Sequence, residues 1–328
     1  MIHKTTSRVI ASLFGAALAT GAAFADDMAS YTDMFEPLPA LPPIPAANSL
    51  TAEKIELGKM LFFEPRISGS GVISCATCHN PALGWSDRIP TAVGHDGQVG
   101  NRNTPTVLNS GFLTSQFWDG REPDLEGQAL GPIQAEIEMN MDLEAAIRRL
   151  KEFDIYHQHF AAAFPGDDDP INAQNIADAI ASFERTLNTP NSPFDRYLRG
   201  DVGAMSVAQV EGMKLFVDAG CVACHNGPAL TDGNFHRFEL PGSKDEGRFL
   251  VTGDDFDMFA FRTPTLRNVA VTYPYFNNGS VDDLRDAVQL MGQQMLGQDF
   301  AEDELENLVA FMHALTGEMP NVTIPALP

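Results

Sequence analysis

Cys75-Ala76-Thr77-Cys78-His79-Asn80 returns almost letter for letter as Cys221-Val222-Ala223-Cys224-His225-Asn226. Two thiols two residues apart, followed at once by histidine, form the attachment motif of a c-type haem. The spacing allows two thioether bonds to the macrocycle and brings the histidine under the iron as proximal ligand. A zinc ribbon separates its cysteine pairs by roughly 15–20 residues, far fewer than here. A redox dithiol needs neither the histidine nor a second copy. All 4 cysteines of the chain fall in the two motifs, so none remains for a disulfide. Two covalent haems are expected, one on Cys75, Cys78 and His79, the other on Cys221, Cys224 and His225.

Upstream, the chain of 328 residues opens with Lys4 and Arg8, an apolar run over 9–24, and Ala23-Phe24-Ala25 before Asp26-Asp27. This is the pattern of a secretory signal peptide. Cleavage is predicted after Ala25, leaving 303 residues. No later run approaches about 18 apolar residues, so no membrane span is expected after processing. Haem attachment follows export, which points to the periplasm. Loss of Lys4 and Arg8 takes the formal net charge from −23 to −25. That excess of acid argues against a nucleic-acid partner. It suits a soluble protein and can steer a basic one toward it.

Residues 26–48, with Pro37, Pro39, Pro42, Pro43 and Pro45, read as an extended arm. Ser49 or Thr51 caps a helix beginning near Ala52, whose apolar face is Ile55, Leu57, Met60, Leu61 and Phe62; Pro65 ends it. Residues 80–103 form a long loop punctuated by Gly84, Pro90, Gly94, Gly97 and Gly100, and loops of that length are often functional. Further helices are predicted over 142–160, 172–187, after Ser206, near 281–294 and over 301–315. Strand signals are few. Asn188-Thr189-Pro190-Asn191-Ser192-Pro193 is the best boundary. The expected class is mainly α, with two tandem cytochrome c-like domains, 26–190 and 191–328, after a signal at 1–25.

A second repeat lies beyond the haem motifs. Thr104-Pro105-Thr106 matches Thr263-Pro264-Thr265, and the same register pairs Asn109 with Asn268, Phe117 with Phe276, Gly120 with Gly279 and Asp124-Leu125 with Asp283-Leu284. One haem domain has been duplicated. In this register Met291 falls opposite Pro132. A methionine sulfur is a sixth iron ligand that raises the reduction potential, and proline offers nothing equivalent. The second haem is therefore expected to store electrons at high potential and the first to open toward a substrate. Met295 competes with Met291 for the ligand role, and Met258 does so more weakly.

With these segments in view, the chain closely resembles the bacterial di-haem cytochrome c peroxidases. The resemblance is carried by Leu57-Gly58-Lys59-Met60-Leu61-Phe62-Phe63 and by 74–80, 102–109, 116–121, 189–198, 221–227 and 261–279. It implies reduction of hydrogen peroxide to water with electrons from a small c-type cytochrome or cupredoxin, in a homodimer. It implies Met291 as sixth ligand of the second haem and His95 as a removable ligand of the first. It implies Trp118 between the haems, Gln128 and Glu138 at the peroxide site with Glu136 as a rival, and one calcium ion on Asn103, Thr272 and Pro274. Gly94-His95-Asp96-Gly97 departs from close relatives, which often place a bulky residue after the histidine. His157, His159, His236 and His313 are read as non-ligands. A cofactor-maturation enzyme of the MauG type resembles the chain too, but carries tyrosine where Met291 stands. A plain di-haem electron carrier would need neither Gln128 nor Glu138.

Overall fold

The computed structural model describes residues 29–240 and 242–328; the predicted signal at 1–25 lies outside them. Helix α1 (Ala52–Phe62) starts where the Thr51 side chain accepts a hydrogen bond from the Lys54 amide. It crosses α5 (Ala173–Glu184) backbone to backbone. Position 58 must be glycine for this, because a Cβ there would stand 1.8 Å from the Ala179 carbonyl oxygen. In the second half α6 (Val207–Asp218) crosses α8 (Glu302–Ala314) in the same manner, and a Cβ at Gly212 would stand 1.9 Å from the Asn307 oxygen. Phe183 flanks the first crossing and Phe311 the second.

The duplication extends to the turns. Asn109 and Asn268 both adopt left-handed backbone, φ 61° and 64°. Their side-chain amides both donate to the Thr189 hydroxyl, each at 2.8 Å. Asp124 caps α2 (Leu125–Gln134) and Asp283 caps α7 (Leu284–Met291). Met291 and Pro132 therefore occupy corresponding points of corresponding helices. A two-stranded antiparallel sheet, β1 (Phe235–Arg237) with β2 (Ala260–Arg262), pairs His236 with Phe261.

Each half has its own apolar core. Leu57, Leu61, Phe62, Ile180 and Phe183 centre the first, and Met213, Phe216, Leu308, Phe311 and Leu315 the second. Each such side chain contributes about 1.5–3 kcal/mol when fully buried. The termini cross over. Phe35 of the N-terminal arm is buried in the second core, its ring 5.1 Å from that of Phe194, while Val322 and Leu327 pack on the first. The arm is held by the Leu38 amide, which donates to Asp195 at 2.8 Å, and Asp195 in turn pairs with the buried Arg267 at 2.8 Å.

Two local expectations are corrected. The arm is not wholly extended, since residues 29–32 form a helical turn. The single helix expected over 142–160 is two, α3 (Leu143–Leu150) and α4 (Asp154–Ala163). Phe153 takes extended backbone between them and lies under the Arg66 guanidinium at 4.4 Å. The apolar periodicity continues across this break and cannot report it. Among the described residues no helix is long and apolar enough to cross a membrane.

Candidate active site

Both Cys-x-x-Cys-His motifs open onto one cavity of about 1100 Å³, somewhat beyond the usual size of a small-ligand pocket, about 1000 Å³ at its upper end. Cys75–Cys78 is a single helical turn whose start is held by the Ser74 amide, which donates to the Thr77 hydroxyl at 2.9 Å, and the His79 amide closes it by donating to the Cys75 carbonyl at 2.8 Å. The four thiols are unpaired. Burial pushes the Cys78 and Cys221 thiols up to about 11, with Asp87 adding at Cys78, and it raises Cys75 and Cys224 as well. A redox dithiol needs the opposite shift.

Both histidines line the cavity. Burial lowers the His79 imidazole and takes His225 down to about 4, so both are neutral at pH 7, the form that ligates iron. His225 Nδ1 donates to the Leu230 carbonyl at 3.3 Å, which leaves Nε2 as the ligating atom. The Nδ1 of His79 is buried without a hydrogen-bond partner, although the backbones of Trp85 and Pro105 oppose the effect of burial. Arg262 supplies a further test of fit. It is buried on the cavity wall and donates only to the carbonyls of Thr263 at 3.1 Å and Phe117 at 3.4 Å. A buried guanidinium without a carboxylate is costly and suits the anionic edge of a haem. Thiols, neutral imidazoles and cationic wall all fit two c-type haems.

At the first motif the wall includes Gln128 and Pro132 of α2 together with Glu138. Glu136 is exposed and off the wall. Burial raises the Glu138 carboxyl above its ordinary range, and the charge of Arg121 opposes this. Arg121 lies 3.4 Å from the Phe117 ring centroid and is held by Asp119 at 3.1 Å. At the second motif Met291 and Met295 both reach the wall, Met291 ending α7 and Met295 lying in the π-turn Gly292–Leu296 that follows. Such turns concentrate at functional sites.

His95 is placed differently. Its amide donates to the Glu138 carbonyl at 2.8 Å, and Gly94 is needed beneath it because a Cβ there would stand 2.1 Å from the Ile137 oxygen. Yet its imidazole is turned toward Asp96, 3.3 Å away, and Gly69, off the cavity wall.

Trp118 lines the cavity that both motifs share. Its Nε1 donates to the Asn103 carbonyl at 3.0 Å, and its own carbonyl accepts from the Arg262 amide at 2.8 Å. Asn103, Thr272 and Pro274 share the same wall. Arg102 closes the junction with two hydrogen bonds to Asp245, 2.7 and 2.8 Å, and a third to Asp119. Cys224, Asp232 and His236 bring ligand atoms within 4.8 Å of one another, but Cys224 belongs to the haem motif and His236 is bonded to Asp232 at 2.8 Å.

Arg121 and Arg262 had no assigned role in the sequence. The repeat register contains the signal that finds them, because Arg121 falls opposite Ser280 and Arg262 opposite Asn103. Gln128 likewise falls opposite Ala287, and Glu138 opposite Gly297.

Duplicated cytochrome c folds around one cavity, with unequal walls, define a di-haem c-type oxidoreductase. The family model for di-haem cytochrome c peroxidase matches residues 52–203, and that for cytochrome c matches 209–316. The chain is 45% identical to a cytochrome c551 peroxidase of Pseudomonas aeruginosa, over 90% of this chain and 87% of that one. It is 40% identical to the methylamine utilization protein MauG of Methylorubrum extorquens, over 96% and 92%. A crystal structure of a MauG-like protein associated with microbial copper homeostasis superposes with a TM-score of 0.78 at 29% identity, covering 86% of this chain and 94% of that one. The chain belongs to the di-haem cytochrome c peroxidase family.

Proposed function

We propose that the protein reduces hydrogen peroxide to water in the periplasm, with electrons delivered singly by a small c-type cytochrome or cupredoxin. The observation that carries this reading is the unequal cavity: Gln128, Pro132 and a half-buried Glu138 at one motif, methionines at the other. When bound, each haem supplies an iron that exchanges single electrons, and the one on Cys75 and Cys78 also supplies a position open to peroxide. Glu138 takes a proton from the inner peroxide oxygen and returns it to the outer one, which leaves as water. The Gln128 amide orients the peroxide. Two protons and two electrons per peroxide give two waters. Trp118, fixed at both its indole nitrogen and its carbonyl, lies on the electron path between the two sites. Met291, where MauG-type enzymes carry tyrosine, favours the peroxidase over cofactor maturation.

Steady-state oxidation of a reduced c-type cytochrome or cupredoxin by hydrogen peroxide tests the proposal. Turnover is expected from protein whose mass shows two haems and a new terminus at Asp26, and Trp118→Ala slows it. A fully loaded protein without turnover is a carrier, and the proposal fails. Sedimentation of the same sample tests the proposed homodimer.

Calcium is proposed at the junction. Asn103 uses its side-chain nitrogen on the carbonyls of Ile89 and Pro90, at 3.0 and 3.3 Å, so Oδ1 is left for a hard cation beside oxygens of Thr272 and Pro274. A chelator should slow turnover and added calcium restore it. Indifference in protein shown by elemental analysis to be metal-free removes the site.

His95 is proposed as the labile ligand of the first iron, and its loop as a two-state element. The turned-out imidazole corresponds to the open state, and redox-dependent loop stability would shift the balance. His95→Gly should let oxidised protein react with peroxide in stopped flow without prior reduction. A variant that still behaves as wild type shows that His95 is not the gate.

A further inference from the structure

The crossing helices carry one more inequality. Phe183 of α5 and Phe311 of α8 flank equivalent crossings, and Ile180 and Leu308, three residues earlier, both line the cavity. The next residues, Glu184 and Met312, line it too. The second site thus has a thioether where the first has a carboxyl. Glu184 is only 3% exposed, and its Oε2 is buried without a hydrogen-bond partner. It lies close enough to Cys75 to raise that thiol electrostatically.

Neighbouring charges do not neutralise Glu184. Arg185 is held by Glu126 of α2 through two hydrogen bonds, 2.7 and 2.8 Å, so the pair is nearly neutral from the cavity. On α1, Lys54 is tied to Asn48 at 3.0 Å and Lys59 to Glu56 at 2.7 Å. On α3, Arg149 donates to the carbonyls of Arg66 and Ser68. Glu138 also acts on Cys75, and it bears the same sign of charge as Glu184. Burial pushes the Glu184 carboxyl up to about 8, with Arg185 opposing and Glu126 adding.

We propose that Glu184 is a redox-linked proton site of the first haem. Its carboxylate takes one proton from solvent as the iron gains one electron from an external reductant, and gives it back on oxidation. The only bond formed or broken at Glu184 is its O–H. The physical cause is that a buried anion is stabilised by a nearby positive centre and loses that support when the centre's charge falls by one. Met312 has no proton to exchange, so the second haem lacks this coupling.

The inference rests on the di-haem reading, and absorbance and mass establish haem loading before the test. The test is a potentiometric titration of the holoprotein between about pH 6 and 10, bracketing the raised carboxyl range. Wild type should show a first-haem potential that falls by about 59 mV for each tenfold drop in proton concentration within the coupled window. Glu184→Gln, which keeps the shape, and Glu184→Met, which copies the second site, should both lose that slope. Redox-difference infrared spectra should show a protonated-carboxyl band that disappears in Glu184→Gln. A slope and band that survive in Glu184→Gln overturn the proposal and assign the proton elsewhere, to Glu138 or a haem propionate. Protein lacking the first haem sinks both this inference and the reading beneath it.

Discussion

Glu138→Gln is expected to lower kcat/KM for hydrogen peroxide by about 10²–10⁴-fold, the usual contribution of a positioned acid–base group. Glutamine keeps the size and polarity of the side chain but cannot shuttle a proton between two oxygens. Both haems should still attach, because Glu138 stands outside both motifs. The pH profile gives a second readout. Glu138 must be ionised to act as base, and burial raises its carboxyl, against the pull of Arg121. The acidic limb of kcat/KM should therefore lie above the ordinary glutamate value of about 4.3. Rate is lost as pH falls through the raised value, and Glu138→Gln should abolish that limb. Glu136→Gln, on the exposed side of the same turn, should leave rate and profile unchanged. If instead Glu136→Gln carries the loss, the proton shuttle has been assigned to the wrong carboxylate.

Met291→Leu should produce the other large effect. Leucine has nearly the same volume but no sulfur, so the second haem should lose its methionine-ligand absorption band and its high potential. Turnover should fall with it, because the stored electron is no longer drawn from the donor. Met291 ends α7 at the point matching Pro132 of α2, and Met295 reaches the same wall from the π-turn. Met295→Leu should keep the band and the potential. The opposite outcome, with Met291→Leu silent and Met295→Leu spectrally altered, transfers the ligand to the π-turn.

Much of the site was legible in the chain because the duplication supplies its own control. Where both copies keep a residue, as at Asn109 and Asn268, the position serves the fold, and both asparagines do converge on Thr189. Where the copies differ, as at Pro132 and Met291, the difference points to function. The helix pair that carries Glu184 and Met312 was not legible in this way, because those helices follow a different spacing and share few identities. Burial was hidden as well. Glu136 and Glu138 are two residues apart with the same chemistry, and only packing against the His95 loop leaves one half-buried on the cavity wall and the other in solvent.

The sequence by itself determined the number of haem attachment motifs, the mainly helical class and the difference between Pro132 and Met291 at matching points of the repeat. These depend on covalent spacing, caps and periodicity, which act over a few residues, and on an internal repeat. Only the tertiary structure decided that the arm bearing Phe35 crosses to the second core, that the His95 imidazole is turned from the cavity, that Glu184 faces it with an unpartnered oxygen, and that Arg262 faces it bonded to carbonyls alone. Those facts depend on which distant segments exclude water from one another, and no local pattern encodes that.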